Sequence, residues 1–152
     1  MVMYGGGSAW PLAVMEEVDT EGVGTRHGWG MTGMSPLGTS NASGARRHQY
    51  DAETFAKMRT NVGQPIFGVD VKITDDDNEE LPLDGVAFVA LKVRGPWICS
   101  SYFKLDGSSA HEEDGWFETG DVATIDSRGN VSITDRTKDV TKSGGEWISS
   151  IE

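Results

Sequence analysis

Apolar residues recur along the chain with two different periods, and each period predicts its own kind of element. Near the N-terminus, Leu12, Met15 and Val18 are spaced by three residues, which predicts a short amphipathic helix. Pro11 suits the first turn of this helix, where its missing N–H costs nothing. Residues 2–9 are first apolar and then rich in glycine. We therefore predict a strand, a glycine loop and a helix in this order.

A second helix is predicted after a polar loop. Asp51 is a suitable N-cap, because its carboxylate can accept a hydrogen bond from a free backbone N–H of the first turn. Phe55 and Met58 then share one face of a helix that reaches about Arg59.

From residue 67 the period becomes two, which predicts strands. The alternating apolar residues are Phe67, Val69, Val71 and Ile73. A turn at 82–85 leads into a predicted strand from Val86 to Val93. Further on, the five-residue turn 126–130 joins the apolar runs 122–125 and 131–133, which predicts a hairpin. The pattern thus predicts a mixed α/β fold, with α/β structure in the first third and mainly β-structure in the rest.

Composition limits the class of protein. The chain has 152 residues, of which 37% are hydrophobic and 24% charged, values typical of a globular protein. The longest uncharged apolar run, 86–91, is far shorter than the roughly 20 residues of a membrane span. No signal peptide is visible, and the single cysteine, Cys99, excludes an internal disulfide framework, so we predict a cytoplasmic location.

Charge and residue spacing exclude further classes of function. The net charge of −11 argues against broad nucleic-acid binding, because phosphates would be repelled. The acidic cluster at 75–80 lacks the spacing of a calcium loop and is interpreted as a solvated turn. The three histidines and Cys99 lack the spacing of zinc ligands.

Four segments carry motifs. They are Gly28-Trp29-Gly30-Met31-Thr32-Gly33-Met34-Ser35-Pro36-Leu37-Gly38-Thr39, Gly115-Trp116-Phe117-Glu118-Thr119-Gly120-Asp121, Asp135-Arg136-Thr137-Lys138-Asp139 and Lys142-Ser143-Gly144-Gly145-Glu146. In this order they resemble the adenylate-forming superfamily, whose members activate a carboxylic acid with ATP before coupling it to a thiol. The first segment, together with Arg94-Gly95-Pro96-Trp97, is most similar to the medium- and long-chain fatty acyl-CoA ligase branch.

The resemblance implies a domain organisation. Residues 1–134 would be the C-terminal part of the large AMP-binding N-terminal domain, with an α/β portion over 1–60 and a β-rich portion over 61–134. Residues 135–139 would be the interdomain hinge, with Lys138 at the hinge position. Residues 140–152 would begin a truncated C-terminal domain, and the sequence is accordingly interpreted as an internal fragment.

The resemblance also implies roles for single residues. Asp121 would bind the ribose hydroxyls, Arg136 the ribose and phosphate, and Thr32 the α-phosphate. Trp29 would stack on adenine, with ordinary core packing as the alternative. The implied nucleotide site comprises Gly7, Ser8, Ala9, Trp29, Gly30, Thr32, Asp121, Ile133 and Arg136, and the implied catalytic set comprises Thr32, Arg136 and Lys138. His27 would border the acyl pocket.

The second half-reaction involves a different loop. Ser143, Gly144, Gly145 and Glu146 resemble the loop that lines the pantetheine tunnel during thioester formation. The implied co-substrate is CoA, and the implied partners are small molecules: ATP or AMP, a fatty acid and CoA.

Gly33 departs from the family pattern, which has a glutamate magnesium ligand at this position. Mg²⁺ is expected for the family, yet glycine supplies no carboxylate. The family's phosphate loop with its lysine and its adenylation lysine are not found within these residues. The sequence therefore predicts part of an ATP-dependent fatty acid–CoA ligase. The alternatives are a non-catalytic nucleotide-binding or structural remnant, and an enzyme that adenylates for a carrier protein.

Overall fold

A computed structural model describes residues 1–42, 48–103, 111, 114–136, 141–143 and 146–148. The helices are α1 (Leu12–Thr20) and α2 (Ala52–Thr60). The strands are β1 (Val2–Gly5), β2 (Gly24–Gly30), β3 (Leu37–Ser40), β4 (Gln64–Pro65), β5 (Asp70–Thr74), β6 (Val89–Arg94), β7 (Phe117–Ile125), β8 (Val131–Arg136), β9 (Thr141–Ser143) and β10 (Glu146–Ile148). The mixed α/β prediction is confirmed.

The first sheet contains β1, β2, β3 and β4 in that order. β1 and β2 are parallel, and α1 connects them, whereas β2, β3 and β4 pair antiparallel. The predicted order of strand, glycine loop and helix is confirmed. Pro11 is the N-cap of α1, and Met15 on its inner face is 1% exposed.

The second helix is anchored at both ends. Asp51 is its N-cap as predicted, and its Oδ1 accepts a hydrogen bond of 2.8 Å from the Thr54 backbone N–H. Near the C-terminus of α2, Arg59 Nη1 lies 2.8 Å from Asp19 Oδ2 of α1 and Nη2 donates to Thr25 Oγ1 of β2 over 2.6 Å. These contacts hold both helices on the same part of the first sheet.

The second sheet is an antiparallel meander in the order β5, β6, β7, β8. The predicted hairpin is confirmed: Ile125 pairs with Val131, and Asp126 in the turn accepts hydrogen bonds of 2.9 Å from the backbone N–H groups of Arg128 and Asn130. The apolar inner face includes Ile73, Leu91, Ala123 and Ile125, each 0% exposed.

Two predicted strands begin later than their sequence pattern indicates. Phe67 is 99% exposed and lies in a turn before β5, because the Val69 N–H bonds to the Ile66 carbonyl and Gly68 has a φ of +86°. Val86 is 78% exposed because its N–H is bound by the Asp84 carboxylate instead of a neighbouring strand. In both places a local turn takes the hydrogen bonds that a strand would need.

The two sheets are joined through the segment before β4. Val131 exchanges backbone hydrogen bonds with this segment, donating to Gly63 over 2.8 Å and accepting from Val62 over 3.0 Å. The Thr39 hydroxyl of β3 donates to the Val62 carbonyl over 2.7 Å. One apolar core then runs between the sheets. In the described part of the chain, no helix is long and apolar enough to cross a membrane.

Candidate functional site

The glycine loop after β1 lies against the end of β2. Because β1 and β2 are parallel, the segments that follow both strands emerge at one edge of the sheet, which is where ligands bind in open α/β sheets. Gly6 packs on β2 so closely that a Cβ there would lie 2.9 Å from the Gly28 carbonyl oxygen. Gly7, Ser8 and Ala9 are exposed beyond this contact. The predicted nucleotide loop thus offers accessible backbone at this edge.

His27 connects the glycine loop to α2. It is 4% exposed, its Nε2 lies 3.2 Å from the Ser8 carbonyl oxygen, and its Nδ1 lies 3.3 Å from the Thr60 carbonyl oxygen. A neutral imidazole can donate to only one of the two carbonyls, whereas the imidazolium can donate to both. His27 is thus buried against the glycine loop, and its predicted role beside an acyl pocket stays a prediction.

Trp29 is mostly buried in the core between the sheets. Its side chain is 9% exposed and belongs to the same apolar cluster as Met34 and Phe117. The indole Nε1–H donates a 2.8 Å hydrogen bond to Oδ2 of Asp121. The structure thus shows the packing role that the sequence left as an alternative, while stacking on adenine stays a prediction.

Asp121 reaches this position through an irregularity in β7. Ala90 pairs with Val122 and Lys92 with Glu118, so the single residue Leu91 faces the three residues 119–121. Gly120 takes a φ of +73°, a conformation that glycine adopts without strain. Gly120 therefore lies in a bulge within β7.

Thr119 repairs the gap that the bulge leaves in the hydrogen-bond ladder. Its hydroxyl donates to the Leu91 carbonyl over 2.8 Å and accepts from the Asp121 N–H over 3.1 Å. No role for Thr119 was predicted from the sequence. The signal was present, since a hydroxyl before a glycine in a strand can stand in for a missing backbone partner.

The electrostatics of Asp121 follow from its burial. Burial raises the pKa of its carboxyl above the usual range, while the Trp29 hydrogen bond and the charge of Arg136 act in the opposite direction. Arg136 Nε lies 3.6 Å from Asp121 Oδ1, and the Arg136 side chain is 61% exposed. One oxygen of the Asp121 carboxylate is thus bonded to the buried Trp29 indole, and the other faces the exposed guanidinium of Arg136.

The remaining predicted nucleotide residues, Gly30, Thr32 and Ile133, lie in or directly after strands of the two sheets. Gly30 ends β2, and a Cβ there would overlap the Pro36 carbonyl oxygen. Thr32 follows it in an exposed position at the start of a single 3₁₀ turn. Ile133 pairs with Ala123 and packs, half-buried, against the core.

Gly33 supplies no magnesium ligand, and its neighbours leave little room for a larger side chain. A Cβ on Gly33 would lie 3.1 Å from Cys99 Sγ and 3.5 Å from both Phe117 Cζ and Tyr102 Oη, so the space is filled by neighbours without carboxylates. Within the residues that the structure describes, no group of three or more His, Cys, Asp or Glu side chains could hold a metal ion. We therefore assign no step to a metal here.

The predicted hinge and CoA-side loop fall mostly outside the described residues. Lys138, Gly144 and Gly145 lie outside them. Ser143 and Glu146 are opposite each other at the ends of β9 and β10, which pair antiparallel. Their predicted functions stay predictions.

Comparison with known proteins identifies the family of the chain. The family described as AMP-binding enzyme matches residues 1–103. The chain belongs to this family. It is 49% identical over 150 residues to the 3-methylmercaptopropionyl-CoA ligase of Ruegeria lacuscaerulensis, a match covering 99% of this chain and 28% of that protein. It is 46% identical over 148 residues to the medium-chain-fatty-acid–CoA ligase of Ectopseudomonas oleovorans, covering 97% of this chain and 27% of the other.

Solved structures of AMP-binding enzymes share the fold. The O-succinylbenzoate coenzyme A synthetase of Bacillus subtilis, solved with ATP and a magnesium ion, matches with a TM-score of 0.78 and 26% identity, over 97% of this chain and 29% of that chain. The anthranilate CoA ligase AuaEII, solved with anthranoyl-AMP, matches with a TM-score of 0.77 and 25% identity, over 97% and 27% respectively. The chain thus spans less than a third of these relatives, and the matched region includes both sheets.

Proposed function

We propose that the chain is part of an ATP-dependent acid–thiol ligase that converts a fatty or related acyl carboxylate into its acyl-adenylate and then into its CoA thioester. The products would be acyl-CoA, AMP and diphosphate. The observation that carries this proposal is the buried Asp121 carboxylate, which the Trp29 indole of β2 holds over 2.8 Å, one residue after the Gly28 carbonyl against which the glycine loop packs. The similarity to a 3-methylmercaptopropionyl-CoA ligase and to a medium-chain-fatty-acid–CoA ligase supports an acyl carboxylate as the acid and CoA as the thiol.

The proposed binding mode divides the nucleotide among three groups of residues. Backbone groups of residues 7–9 would contact the adenine side, as the accessible loop allows. Asp121 would accept hydrogen bonds from the ribose hydroxyls, and Arg136 would neutralise phosphate charge beside it. Thr32, exposed at the end of β2, would contact the α-phosphate that the substrate carboxylate attacks.

These contacts would act by positioning. Adenylation requires the carboxylate oxygen to approach the α-phosphorus in line with the leaving diphosphate, and fixed geometry lowers that barrier. Residues 135–139 are proposed as the hinge around Lys138, and 140–152 as the start of a second domain carrying the CoA-side loop at 143–146.

The test is an assay of a complete ligase that carries residues 1–152. It is incubated with ATP, CoA and 3-methylmercaptopropionate, octanoate or palmitate, and both AMP and acyl-CoA are measured. We expect equal amounts of AMP and acyl-CoA with at least one acid, and strongly reduced formation of both in Asp121→Asn. Nucleotide binding without either product would support the non-catalytic remnant instead.

The carrier-protein alternative is tested in the same assay. CoA is replaced by a pantetheinylated carrier protein, and thioester formation is compared at equal thiol concentration. We expect free CoA to be the better acceptor, because the two curated relatives named above are CoA ligases. Thioester formed only on the carrier protein would contradict the proposal.

A further inference from the structure

The hydrogen bond between Trp29 and Asp121 links the two sheets at the proposed ribose site. Trp29 comes from β2 of the first sheet and Asp121 from β7 of the second. The indole Nε1–H donates to Oδ2 over 2.8 Å, and the two residues are 9% and 6% exposed. Because both groups are buried, water cannot readily replace either partner, and loss of the bond would leave a polar group unsatisfied.

The position of the indole is fixed by packing. Gly38 of β3 lies directly beneath the ring, so that a Cβ on Gly38 would be 2.8 Å from Cζ3 of Trp29. The indole has one donor and no acceptor, so the direction of its hydrogen bond has no alternative. The ring therefore presents its N–H to Asp121 from a fixed place.

The backbone of Asp121 is fixed from the opposite side. The Thr119 hydroxyl holds its N–H over 3.1 Å and is itself bonded to the Leu91 carbonyl. With the backbone held by Thr119 and Oδ2 held by Trp29, the rotation of the carboxylate is restricted. Oδ1 is left on the side of Arg136, whose side chain is largely exposed.

We infer that Trp29 is a positioning residue, whose indole N–H orients the Asp121 carboxylate so that it can accept hydrogen bonds from the ribose hydroxyls of the nucleotide. This inference rests on the proposed function, in which Asp121 binds ribose. It differs from stacking on adenine in a way that can be measured. A stacking residue acts on the base, whereas a residue that acts through Asp121 matters only when the ribose hydroxyls are present.

The ionisation of Asp121 gives a second signature. An ionised carboxylate only accepts hydrogen bonds, as a ribose hydroxyl donor requires. Burial raises the pKa of Asp121, and the Trp29 hydrogen bond together with Arg136 counteracts this rise. Removing the indole donor should therefore raise this pKa further, and ATP binding should weaken at a higher pH than in the unmodified protein.

The experiment compares two nucleotides on a complete ligase that carries residues 1–152. Dissociation constants for ATP and 2′,3′-dideoxy-ATP are measured for the unmodified enzyme, Trp29→Phe and Asp121→Asn. We expect the unmodified enzyme to prefer ATP, and Trp29→Phe to lose about tenfold in ATP affinity, as expected for a hydrogen bond to a charged group. The same variant should bind 2′,3′-dideoxy-ATP within about twofold of the unmodified enzyme, since the missing contact is then irrelevant.

A matched variant separates the hydrogen bond from the ring. Replacing Trp29 by 3-benzothienylalanine keeps the bicyclic shape and removes only the N–H, so it should reproduce the ATP-specific loss with the fold intact. With this replacement, the loss of ATP affinity on acidification should also occur at a higher pH than in the unmodified enzyme. The pH dependence of the affinity for 2′,3′-dideoxy-ATP should stay unchanged.

The outcomes distinguish this inference from the proposed function. Equal weakening of both nucleotides in Trp29→Phe, or unchanged ATP binding in the benzothienylalanine variant, would overturn the positioning role. If the unmodified enzyme bound ATP and 2′,3′-dideoxy-ATP equally, and Asp121→Asn changed neither affinity, then the ribose role of Asp121 in the proposed function would itself be wrong.

Discussion

The two sheets bury their strands to different extents. In the second sheet Ile73, Leu91 and Val122 are 0% exposed, and each strand lies next to its sequence neighbour. In the first sheet β1 runs parallel to β2, and its residues Val2 and Tyr4 are 52% and 54% exposed. Parallel strands are normally covered on both faces. The strands of the second sheet are thus covered by the apolar core between the sheets, whereas β1 of the first presents a surface that the described residues do not cover.

The glycines show the same contrast. In the first sheet Gly6, Gly28 and Gly30 allow backbones to approach one another closely. In the second sheet Gly120 has no atom within 4 Å of a Cβ position, and it is used for its positive φ alone. The glycines of the first sheet are therefore needed because they lack a side chain, whereas Gly120 in the second sheet is needed because it adopts a positive φ.

The largest expected effect tests this difference between glycines. Gly30→Ala would place a methyl group on the Pro36 carbonyl, so we expect a loss of about 4 kcal/mol or more in the free energy of unfolding. Gly120→Ala should cost only about 1 kcal/mol, because it strains φ without a clash. Chemical denaturation of the chain followed by circular dichroism measures both. Equal losses would contradict the distinction.

The next effect compares the cores. Leu91→Ala removes a fully buried side chain from the second sheet, and we expect a loss of about 3 kcal/mol in the free energy of unfolding. Val2→Ala in β1, which is half exposed, should cost less than about 0.5 kcal/mol. Thermal unfolding of both variants provides the measurement. A large loss in Val2→Ala would show that β1 is covered in solution.

A smaller effect tests the contact between the two regions at Gly33. Gly33→Glu adds a side chain 3.1 Å from Cys99 Sγ, so we expect a loss of about 2 kcal/mol from overpacking. Cys99→Ala removes the sulfur, and in this background the loss caused by Gly33→Glu should fall to less than half.

The same pair of variants tests the missing carboxylate. In a complete ligase with Cys99→Ala, we expect Gly33→Glu to reduce the magnesium concentration needed for half-maximal turnover. Identical magnesium dependence with and without Gly33→Glu would show that residue 33 is not the position of the family glutamate.

The smallest effect concerns the hairpin of the second sheet. Burial raises the pKa of Asp126, but hydrogen bonds from the Asn130 side chain and backbone and from the Arg128 N–H outweigh burial and lower it below its usual value. The stabilisation is therefore complete above the unfolded pKa of about 4 and is lost as the pH falls through the lower folded value.

Asp126→Ala should cost about 1 kcal/mol at neutral pH, and the difference from the unmodified chain should shrink below about pH 4. Urea denaturation at pH 7 and pH 3 measures it. A difference that grows towards pH 3 would contradict the assigned sign.

Local patterns predicted the elements whose determinants are local. The N-cap Asp51 and the turn at 126–130 form hydrogen bonds with residues two to four positions away, and both predictions are confirmed. The late starts of β5 and β6 were missed because Gly68 and Asp84 compete locally with the strand pattern.

The candidate site depends on contacts between residues that are distant in the sequence, which local patterns do not predict. Resemblance to a family predicted Asp121, Arg136 and Trp29 as members of one site, and the structure brings these three side chains together. The bond from Trp29 to Asp121 spans two sheets and has no local sequence pattern, so it could not be predicted. The roles of all three in nucleotide binding stay predictions.

The backbone bridge between Gly63 and Val131 has a consequence for the order of folding. The β7–β8 hairpin closes over the short turn at 126–130, which requires little chain entropy. The bridge closes a much longer loop, and contacts between distant residues form slowly. We therefore expect the hairpin to gain amide protection early in refolding, and residues 62–63 to gain it only when the whole molecule becomes native.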